Sequence, residues 1–163
     1  MPDPLITLRR VEGDRRAFIP LLLEADGSEP MVRGYLEGGE LFELMADVRG
    51  PAAAEVVGVV LLTPAEPAEP GAIEIKNIAL RAEYRGRGLG RAAIGAIATE
   101  ARSRGARRLL VGTADSSLGT IAFYRACAFR DTGRLEGFFD TYPEPVIEDG
   151  VRARDMIRFE MSL

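Results

Sequence analysis

The feature that most constrains this chain is a strand-like segment that runs through a glycine-rich turn into a helical pattern. The segment IEIKNIAL, residues 73–80, alternates apolar and polar residues as a strand does. It leads into YRGRGLGRAAIG, residues 84–95, where three glycines precede apolar residues at helical spacing. A strand that feeds a helix in this way packs that helix against its own sheet, so the segment predicts strands and helices around a common sheet.

The strand-like segment before the turn contains a change of phase. Ile73 and Ile75 lie on one face of an ideal strand, whereas Ile78 and Leu80 lie on the opposite face. One extra residue at Lys76–Asn77 produces this change if the strand has a β-bulge, a feature that often occurs next to active sites. A strand that is buried on both faces explains the pattern equally well.

The rest of the chain continues the alternation of strands and helices. Before the segment, the pattern predicts three strands and two helices: residues 5–11, 15–25, 30–38, 41–48 and 55–63. After the turn it predicts a helix that ends at Gly105, followed by a strand, a helix and two strands: residues 108–113, 120–129, 132–139 and 154–161. VVGVVLLT is predicted as a central strand, and PAEPAEPG as a polar loop rather than a polyproline motif. We therefore expect one α/β (α+β) domain over residues 1–163.

The composition excludes several classes of function. The chain of 163 residues has no histidine and one cysteine, Cys127, so we expect no His-based catalysis, no metal site and no internal disulfide. A formal net charge of -4 argues against nucleic acid as a partner, and the apolar runs are too short to cross a membrane. The first residues lack a secretory signal pattern, so we expect a cytoplasmic location.

The glycine turn has the features of an anion-binding site. Glycine permits a tight turn and a close approach of the backbone to a ligand. The first N–H groups of the following helix lack partners, and the helix dipole adds positive potential there. The spacing of Gly86, Gly88 and Gly90 departs from the dinucleotide fingerprint, and no G-K-[ST] triplet is present. Taken alone, the turn is also compatible with a structural connection that carries solvated arginines.

Two motifs together suggest a family. The run RGRGLG, residues 85–90, resembles the R/Q-x-x-G-x-G/A signature of the GNAT superfamily of N-acetyltransferases. Tyr124 followed by Ala128-Phe129 is similar to the later Y-x-x-x-G-F segment of that family, although Ala128 replaces the usual Gly and Ser117 stands where an Asn is common. The resemblance implies the GNAT fold, a mixed sheet of about seven strands flanked by about four helices.

The same resemblance implies acetyl-coenzyme A as the co-substrate. The backbone of Ile78, Ala79 and Leu80 is expected to pair with the pantetheine arm like an added strand. Ser117 and Tyr124 are expected beside the same ligand. The pyrophosphate is expected on the backbone N–H groups of the turn, which comprises Arg85, Gly86, Arg87, Gly88, Leu89 and Gly90.

Acetyl transfer to an amine needs a base for the amine, a donor for the carbonyl oxygen and an acid for the departing thiolate. By resemblance, Glu74 is the candidate base and Tyr124 the candidate acid. A backbone N–H near Leu80 is the candidate donor to the carbonyl oxygen. A solvated or Arg-paired Glu74, a chain of ordered waters as base, and a Tyr124 that only packs in the core remain open at this point.

The acceptor side is less defined. The segment LEGFFDTYPEPVIEDG, residues 135–150, mixes aromatic and acidic residues, which suits an ammonium guest but also a solvated loop. By resemblance, the loop at residues 26–29 is the opposite wall. Cys127 is expected to be a core thiol rather than a nucleophile.

The expected function is an acetyl-CoA-dependent N-acetyltransferase that acts on a primary amine of a small molecule or a peptide by direct attack in a ternary complex. A non-catalytic acetyl-CoA sensor is the alternative, and a structural protein without a ligand leaves the glycine turn unexplained. The resemblance also makes a homodimer an option, because members of the family are often dimers.

Overall fold

The computed structural model describes residues 3–50, 53–65 and 67–163. Within this part of the chain there are nine strands and four α-helices. In chain order they are β1 (Ile6–Arg10), α1 (Ile19–Leu22), α2 (Glu29–Tyr35), β2 (Glu40–Ala46), β3 (Glu55–Pro64), β4 (Ala72–Leu80), α3 (Leu89–Ser103), β5 (Arg108–Ala114), α4 (Leu118–Ala126), β6 (Arg130–Leu135), β7 (Ile147–Glu148), β8 (Val151–Arg152) and β9 (Met156–Ser162). Of the sequence predicted as a polar loop between β3 and β4, Glu66 lies outside the described residues.

Seven of the strands form one mixed sheet in the order β1-β2-β3-β4-β5-β9-β6. Strands β4 and β5 are parallel to each other, and the other neighbours are antiparallel. Strands β7 and β8 form a separate two-stranded hairpin. The predicted mixed sheet is therefore confirmed, whereas the small hairpin was not predicted.

Both faces of the sheet are covered, and β3 contributes to the core on each side. Val57 and Val60 pack in the larger core with α3 and α4, while Val59 and Leu61 pack in a second core with α1 and α2. All four side chains are fully buried. The prediction of a central strand from VVGVVLLT is confirmed, because a strand covered on both faces needs apolar residues in both phases.

Three predicted boundaries are wrong. The helix predicted over residues 15–25 is a 3₁₀ turn, Arg15–Phe18, followed by α1. Pro20 lies in the first turn of α1, a position that suits the start of a helix but not the continuation of one. Helix α4 ends at Ala126, before Phe129, and Ala128 has a φ of 68°. The strand predicted over residues 132–139 ends at Leu135, because Gly137 has a φ of 66° and a 3₁₀ turn follows.

The predicted bulge is present in β4. In the pairing of β3 with β4, Leu61 opposes Asn77 and Leu62 opposes Ile75, so Lys76 is the extra residue. The parallel pairing of β4 with β5 ends at Ile75, which opposes Val111. Beyond this pair the two strands separate, and the separation opens the sheet at the carboxyl end of β4. Ligands of sheets with parallel strands commonly bind at such a place.

Candidate active site

Three neighbouring cavities, which we together name the groove, lie where β4 and β5 separate. The central cavity, of about 380 Å³, lies between the end of β4 and helix α4. It shares Leu80 and Tyr124 with a cavity of about 530 Å³ at the glycine turn, which we name the turn pocket. It shares Lys76 and Ser117 with a cavity of about 110 Å³, which we name the inner pocket. The three cavities therefore follow one another from the glycine turn to the inner pocket.

The central cavity contains the part of β4 that was predicted to pair with a pantetheine arm. Ile78, Ala79 and Leu80 line it, beyond the last residue of β4 that pairs with β5. On this edge the backbone of β4 faces the cavity instead of a strand. The arrangement fits an extended amide-containing ligand that adds to the edge as a strand would.

The glycines of the turn have two different roles. Gly86 and Gly88 have φ values of 71° and 78°, and Gly88 is the N-cap of α3. A Cβ atom at Gly86 would meet no atom within 4 Å, so the space beside the turn is open. A Cβ atom at Gly90 would lie 3.2 Å from the Phe123 ring, so Gly90 allows α3 to pack closely on α4. Leu89, the first residue of α3, is buried in the core.

The arginines of the turn are already engaged. Nε of Arg85 donates to the carbonyl oxygen of Leu80 at 3.0 Å, and its guanidinium pairs with the carboxylate of Glu24. Arg85 and Glu24 both line the central cavity. Arg87 lies over the Tyr84 ring, with 5.9 Å between its guanidinium carbon and the ring centre. Of these two arginines Arg85 lines the turn pocket, so its guanidinium group and the N-terminus of α3 are the donors placed to meet a phosphate group there.

Tyr124 lies at the junction of the central cavity and the turn pocket. It is 5% exposed, and its ring contacts three phenylalanines: Phe123, Phe129 and Phe159. Burial, with a smaller effect from Cys127, raises the pKa of the Tyr124 hydroxyl above its ordinary value. The side chain therefore stays protonated at neutral pH and keeps a hydrogen-bond donor at this junction.

Cys127 lines the turn pocket and is buried. Burial raises the pKa of its thiol, which opposes formation of the reactive thiolate. This agrees with the interpretation as a core thiol. The next residue, Ala128, has a left-handed backbone, a conformation that favours glycine. This conformation explains why the family usually has Gly at that place.

Glu74 lies in β4, opposite Thr63 of β3 and Leu110 of β5. Its half-buried side chain lines the inner pocket. The two candidate catalytic residues thus belong to one groove, Glu74 in the inner pocket and Tyr124 in the central cavity next to it. The backbone N–H expected to donate to the carbonyl oxygen is near Leu80, four residues after the bulge at Lys76, and its role stays a prediction.

A hydrogen-bond network connects three walls of the inner pocket. The hydroxyls of Tyr35 and Tyr142 both donate to Oδ2 of Asp26, at 2.9 Å and 3.2 Å. Nδ2 of Asn77 donates to the Tyr35 hydroxyl at 2.9 Å. Burial, followed by the charge of Asp26, raises the pKa of both tyrosines, so both hydroxyls remain donors. Sequence reasoning placed the loop at residue 26 on this wall but missed Tyr35, whose pattern is that of an ordinary helix residue.

The segment at residues 135–150 combines both interpretations made from its sequence. The rings of Phe138, Phe139 and Tyr142 lie 5.1–5.9 Å apart and line the inner pocket. Glu148 also lines it and accepts a hydrogen bond of 2.6 Å from Oγ of Ser117. Glu144 is exposed to solvent, as are Glu136, Asp140 and Asp149. Part of the segment is therefore pocket wall, and part is a solvated loop.

Two kinds of feature are absent from residues 3–50, 53–65 and 67–163. No group of three or more His, Cys, Asp or Glu residues in this part of the chain is arranged to hold a metal ion. None of its helices is long and apolar enough to cross a membrane.

Comparisons with known proteins agree with this arrangement. The acetyltransferase (GNAT) family model matches residues 19–129. The chain is 33% identical to an uncharacterized N-acetyltransferase, YvbK, of Bacillus subtilis (strain 168) over 144 residues, which is 88% of this chain and 87% of that protein.

Solved structures agree as well. A GNAT family acetyltransferase from Elizabethkingia anophelis with acetyl-CoA bound has a TM-score of 0.81 and 30% identity, with 100% of both chains covered. An acetyltransferase from Bacillus subtilis in complex with CoA has a TM-score of 0.79 and 32% identity, with 98% of this chain and 99% of that chain covered. The separated strands and the glycine turn fit the matched family model. The chain belongs to the GNAT family of acetyltransferases.

Proposed function

We propose that the protein is an acetyl-CoA-dependent N-acetyltransferase that acetylates a primary amine by direct attack within a ternary complex. The observation that carries the proposal is the row of three neighbouring cavities, because it offers a donor and an acceptor separate cavities on the two sides of a shared central one. Holding two reactants in contact supplies much of the acceleration of a bimolecular reaction. A sensor of acetyl-CoA needs the turn pocket but has no use for the inner pocket.

The donor end fits acetyl-CoA. The turn supplies an open approach at Gly86 and guanidinium groups at Arg85 and Arg87 for the pyrophosphate. The free edge of β4 at residues 78–80 suits the amides of the pantetheine arm. When bound, acetyl-CoA supplies an acetyl group on a thioester sulfur. The two relatives described above with CoA or acetyl-CoA bound support this choice of donor.

Tyr124 is proposed as the acid that serves the departing sulfur. Its hydroxyl lies where the central cavity meets the turn pocket, along the expected line of the pantetheine arm. Burial raises the pKa of this hydroxyl, so the group is protonated when the sulfur departs. A hydrogen bond from this buried phenol to a developing thiolate is also stronger than one in water, because the surroundings are less polar.

Glu74 is proposed as the base that takes a proton from the acceptor amine. Of the described groups in the inner pocket, Glu74, Asp26 and Glu148 are carboxylates, and Lys76 is a cation. This balance favours an acceptor that arrives as an ammonium ion, and the Phe139 and Tyr142 rings provide faces for the same charge. An amine of a cationic small molecule or of a peptide end meets these conditions.

The test is a thiol-release assay with acetyl-CoA and a panel of amines that includes polyamines, aminoglycosides, amino acids and peptide N-termini. We expect saturable release of CoA with at least one cationic amine, together with an acetylated amine detected by mass spectrometry. Calorimetric binding of acetyl-CoA without release of thiol to any amine would favour the sensor instead. A tenfold higher salt concentration gives a further check, since attraction of a cation to an acidic pocket weakens with ionic strength.

A further inference from the structure

Lys76 is the one lysine in the sequence, and it occupies an unusual place. It is the residue that the pairing of β3 with β4 skips, so it stands at the point where the sheet opens. Its half-buried side chain lines both the central cavity and the inner pocket. Lysine has a low β-propensity, which makes it an unusual residue for the interior of a strand.

The surroundings of Lys76 contain the proposed chemistry. Glu74 lies two residues earlier on the same strand and lines the inner pocket with it. Tyr124 lines the central cavity with it. Nζ of Lys76 lies 5.3 Å from the centre of the Tyr35 ring, a contact that holds the ammonium group over the groove. A primary amine of the chain itself thus shares one cavity lining with the proposed base and another with the proposed acid.

We propose that Lys76 is acetylated by the protein's own transferase activity when no external acceptor is present. In this step Nζ, after giving a proton to Glu74, attacks the thioester carbonyl carbon of acetyl-CoA. A C–N bond forms, the C–S bond breaks, the new amide nitrogen loses its second proton to water, and the thiolate takes a proton from Tyr124, which water then reprotonates. The products are an acetamide at Lys76, CoA with a free thiol, and the proton held by Glu74, so atoms and charge balance. This inference rests on the proposed function of the same site.

The modification would act on the acceptor end of the groove. Acetylation removes the positive charge of Lys76 and its contact with the Tyr35 ring. It also places additional atoms where the central cavity meets the inner pocket. The inner pocket has a volume of only about 110 Å³. We therefore expect acetylated protein to turn over acceptor more slowly, while the turn pocket is unchanged.

The experiment follows acetylation of the folded protein by mass spectrometry, with acetyl-CoA present and no acceptor, and maps the modified peptide. A matched control is Arg102→Lys, which adds an exposed lysine on α3 outside the cavities that form the groove. Acetylation of Lys76 should be at least about tenfold faster than acetylation of the added lysine, because a held pair reacts as one unit. Equal rates at both positions would overturn the proposal, since simple chemical acetylation predicts that result.

Two further variants separate this proposal from the function on which it rests. Lys76→Arg keeps the cation and should give protein that gains no acetyl group at position 76. Tyr124→Phe should slow acetylation of Lys76 and leave the rate at the lysine added by Arg102→Lys unaffected. An amine that is turned over by protein whose Lys76 stays unmodified overturns the inference and leaves the function intact. Acetylation of Lys76 with no turnover of any amine supports the inference and confines the activity to the protein itself.

Discussion

The two ends of the groove are built in different ways. The turn pocket depends mainly on one continuous stretch, in which Gly86 and Gly88 have left-handed backbones directly before α3. The inner pocket is assembled from parts that are far apart in the chain. Asp26 and Tyr142, which share a hydrogen bond of 3.2 Å, are separated by 116 residues. The donor end is thus a local motif, and the acceptor end is a product of tertiary packing.

The two ends of the groove should tolerate different kinds of substitution. A turn that binds phosphate through backbone N–H groups depends on backbone conformation, so few side chains can replace its glycines. An inner pocket formed by side chains from a loop, a helix, a strand and a 3₁₀ turn can change its lining without a change of fold. Changes at the acceptor end should therefore affect rate and acceptor choice, whereas changes at the donor end should affect acetyl-CoA affinity.

The largest expected effect is at the acceptor end. Glu74→Gln keeps the shape of the side chain and removes its basicity. At neutral pH we expect kcat/KM to fall by about 10²- to 10⁴-fold, the usual contribution of a general base. Raising the pH should restore much of the rate, because the amine then arrives without its extra proton.

The matched control for this change is Glu144→Gln, at an exposed position of the neighbouring segment, which should keep its rate. A drop of equal size at every pH would show that Glu74 orients the acceptor instead of accepting its proton. An unchanged rate would transfer the role to a chain of ordered waters.

Tyr124→Phe tests the junction between the two ends. The ring contacts with three phenylalanines should persist, so we expect the thermal unfolding midpoint and the acetyl-CoA Kd to stay close to the original values. Loss of the hydroxyl should lower kcat by about 10²-fold. Because burial raises the pKa of this tyrosine, the original protein should keep its acid at a pH near 10, where a free tyrosine ionises. A variant with the original kcat would make Tyr124 a packing residue.

Arg87→Glu breaks the donor end. A substitution at Gly88 is a poor probe, because a side chain at a φ of 78° is strained whether or not a ligand is present. Charge reversal at Arg87 should weaken acetyl-CoA binding by about 10- to 100-fold, as the loss of a charge-assisted hydrogen bond of about 1.5–3 kcal/mol implies. Calorimetry provides the Kd, and Arg102→Glu at the other end of α3 is the matched control. Equal weakening of acetyl-CoA binding in both variants would show that the effect comes from the overall charge of the protein and not from a contact of Arg87.

Tyr142→Phe removes one hydrogen bond of the acceptor wall. The hydroxyl donates to Asp26 over 3.2 Å, which is longer than is usual for an O–H···O hydrogen bond. We expect KM for the acceptor to rise by about 2- to 10-fold, because a long hydrogen bond is weak and its loss costs about 0.5–1.5 kcal/mol. The acetyl-CoA Kd should not change. The measurement is steady-state kinetics with each substrate varied in turn. A change in acetyl-CoA binding would contradict the division of the groove into two ends.

The smallest effect concerns the ion pair that spans the groove. Glu24→Gln releases Arg85, whose guanidinium is then free to bind phosphate. Both side chains are about half exposed, and such pairs contribute only about 0–1 kcal/mol, so acetyl-CoA should bind more tightly by at most about fivefold. The Kd at low and at physiological salt is the measurement. Weaker binding in the variant would mean that Glu24 positions Arg85 for the ligand.

The sequence predicted the order of the elements and the local structure around the glycine turn, while the residues that bind the donor stay a prediction. The apolar residues in both phases of β3, the phase change at Lys76 and the glycines at residues 86 and 88 are local signals, and each has the expected local structure. Predictions failed where two local signals compete. The apolar residues at 15–25 favour one helix, but Pro20 starts a new one.

The family, the mixed sheet and the turn at the start of α3 can therefore be predicted from the residues alone, because backbone conformation follows from neighbouring residues. Tertiary packing, by contrast, brings Asp26 to Tyr35 and Tyr142, Ser117 to Glu148, and Lys76 into the linings of two cavities. These contacts join residues whose spacing in the chain has no period. They form because burial of separate apolar faces brings distant polar side chains to one place, where each must find a partner.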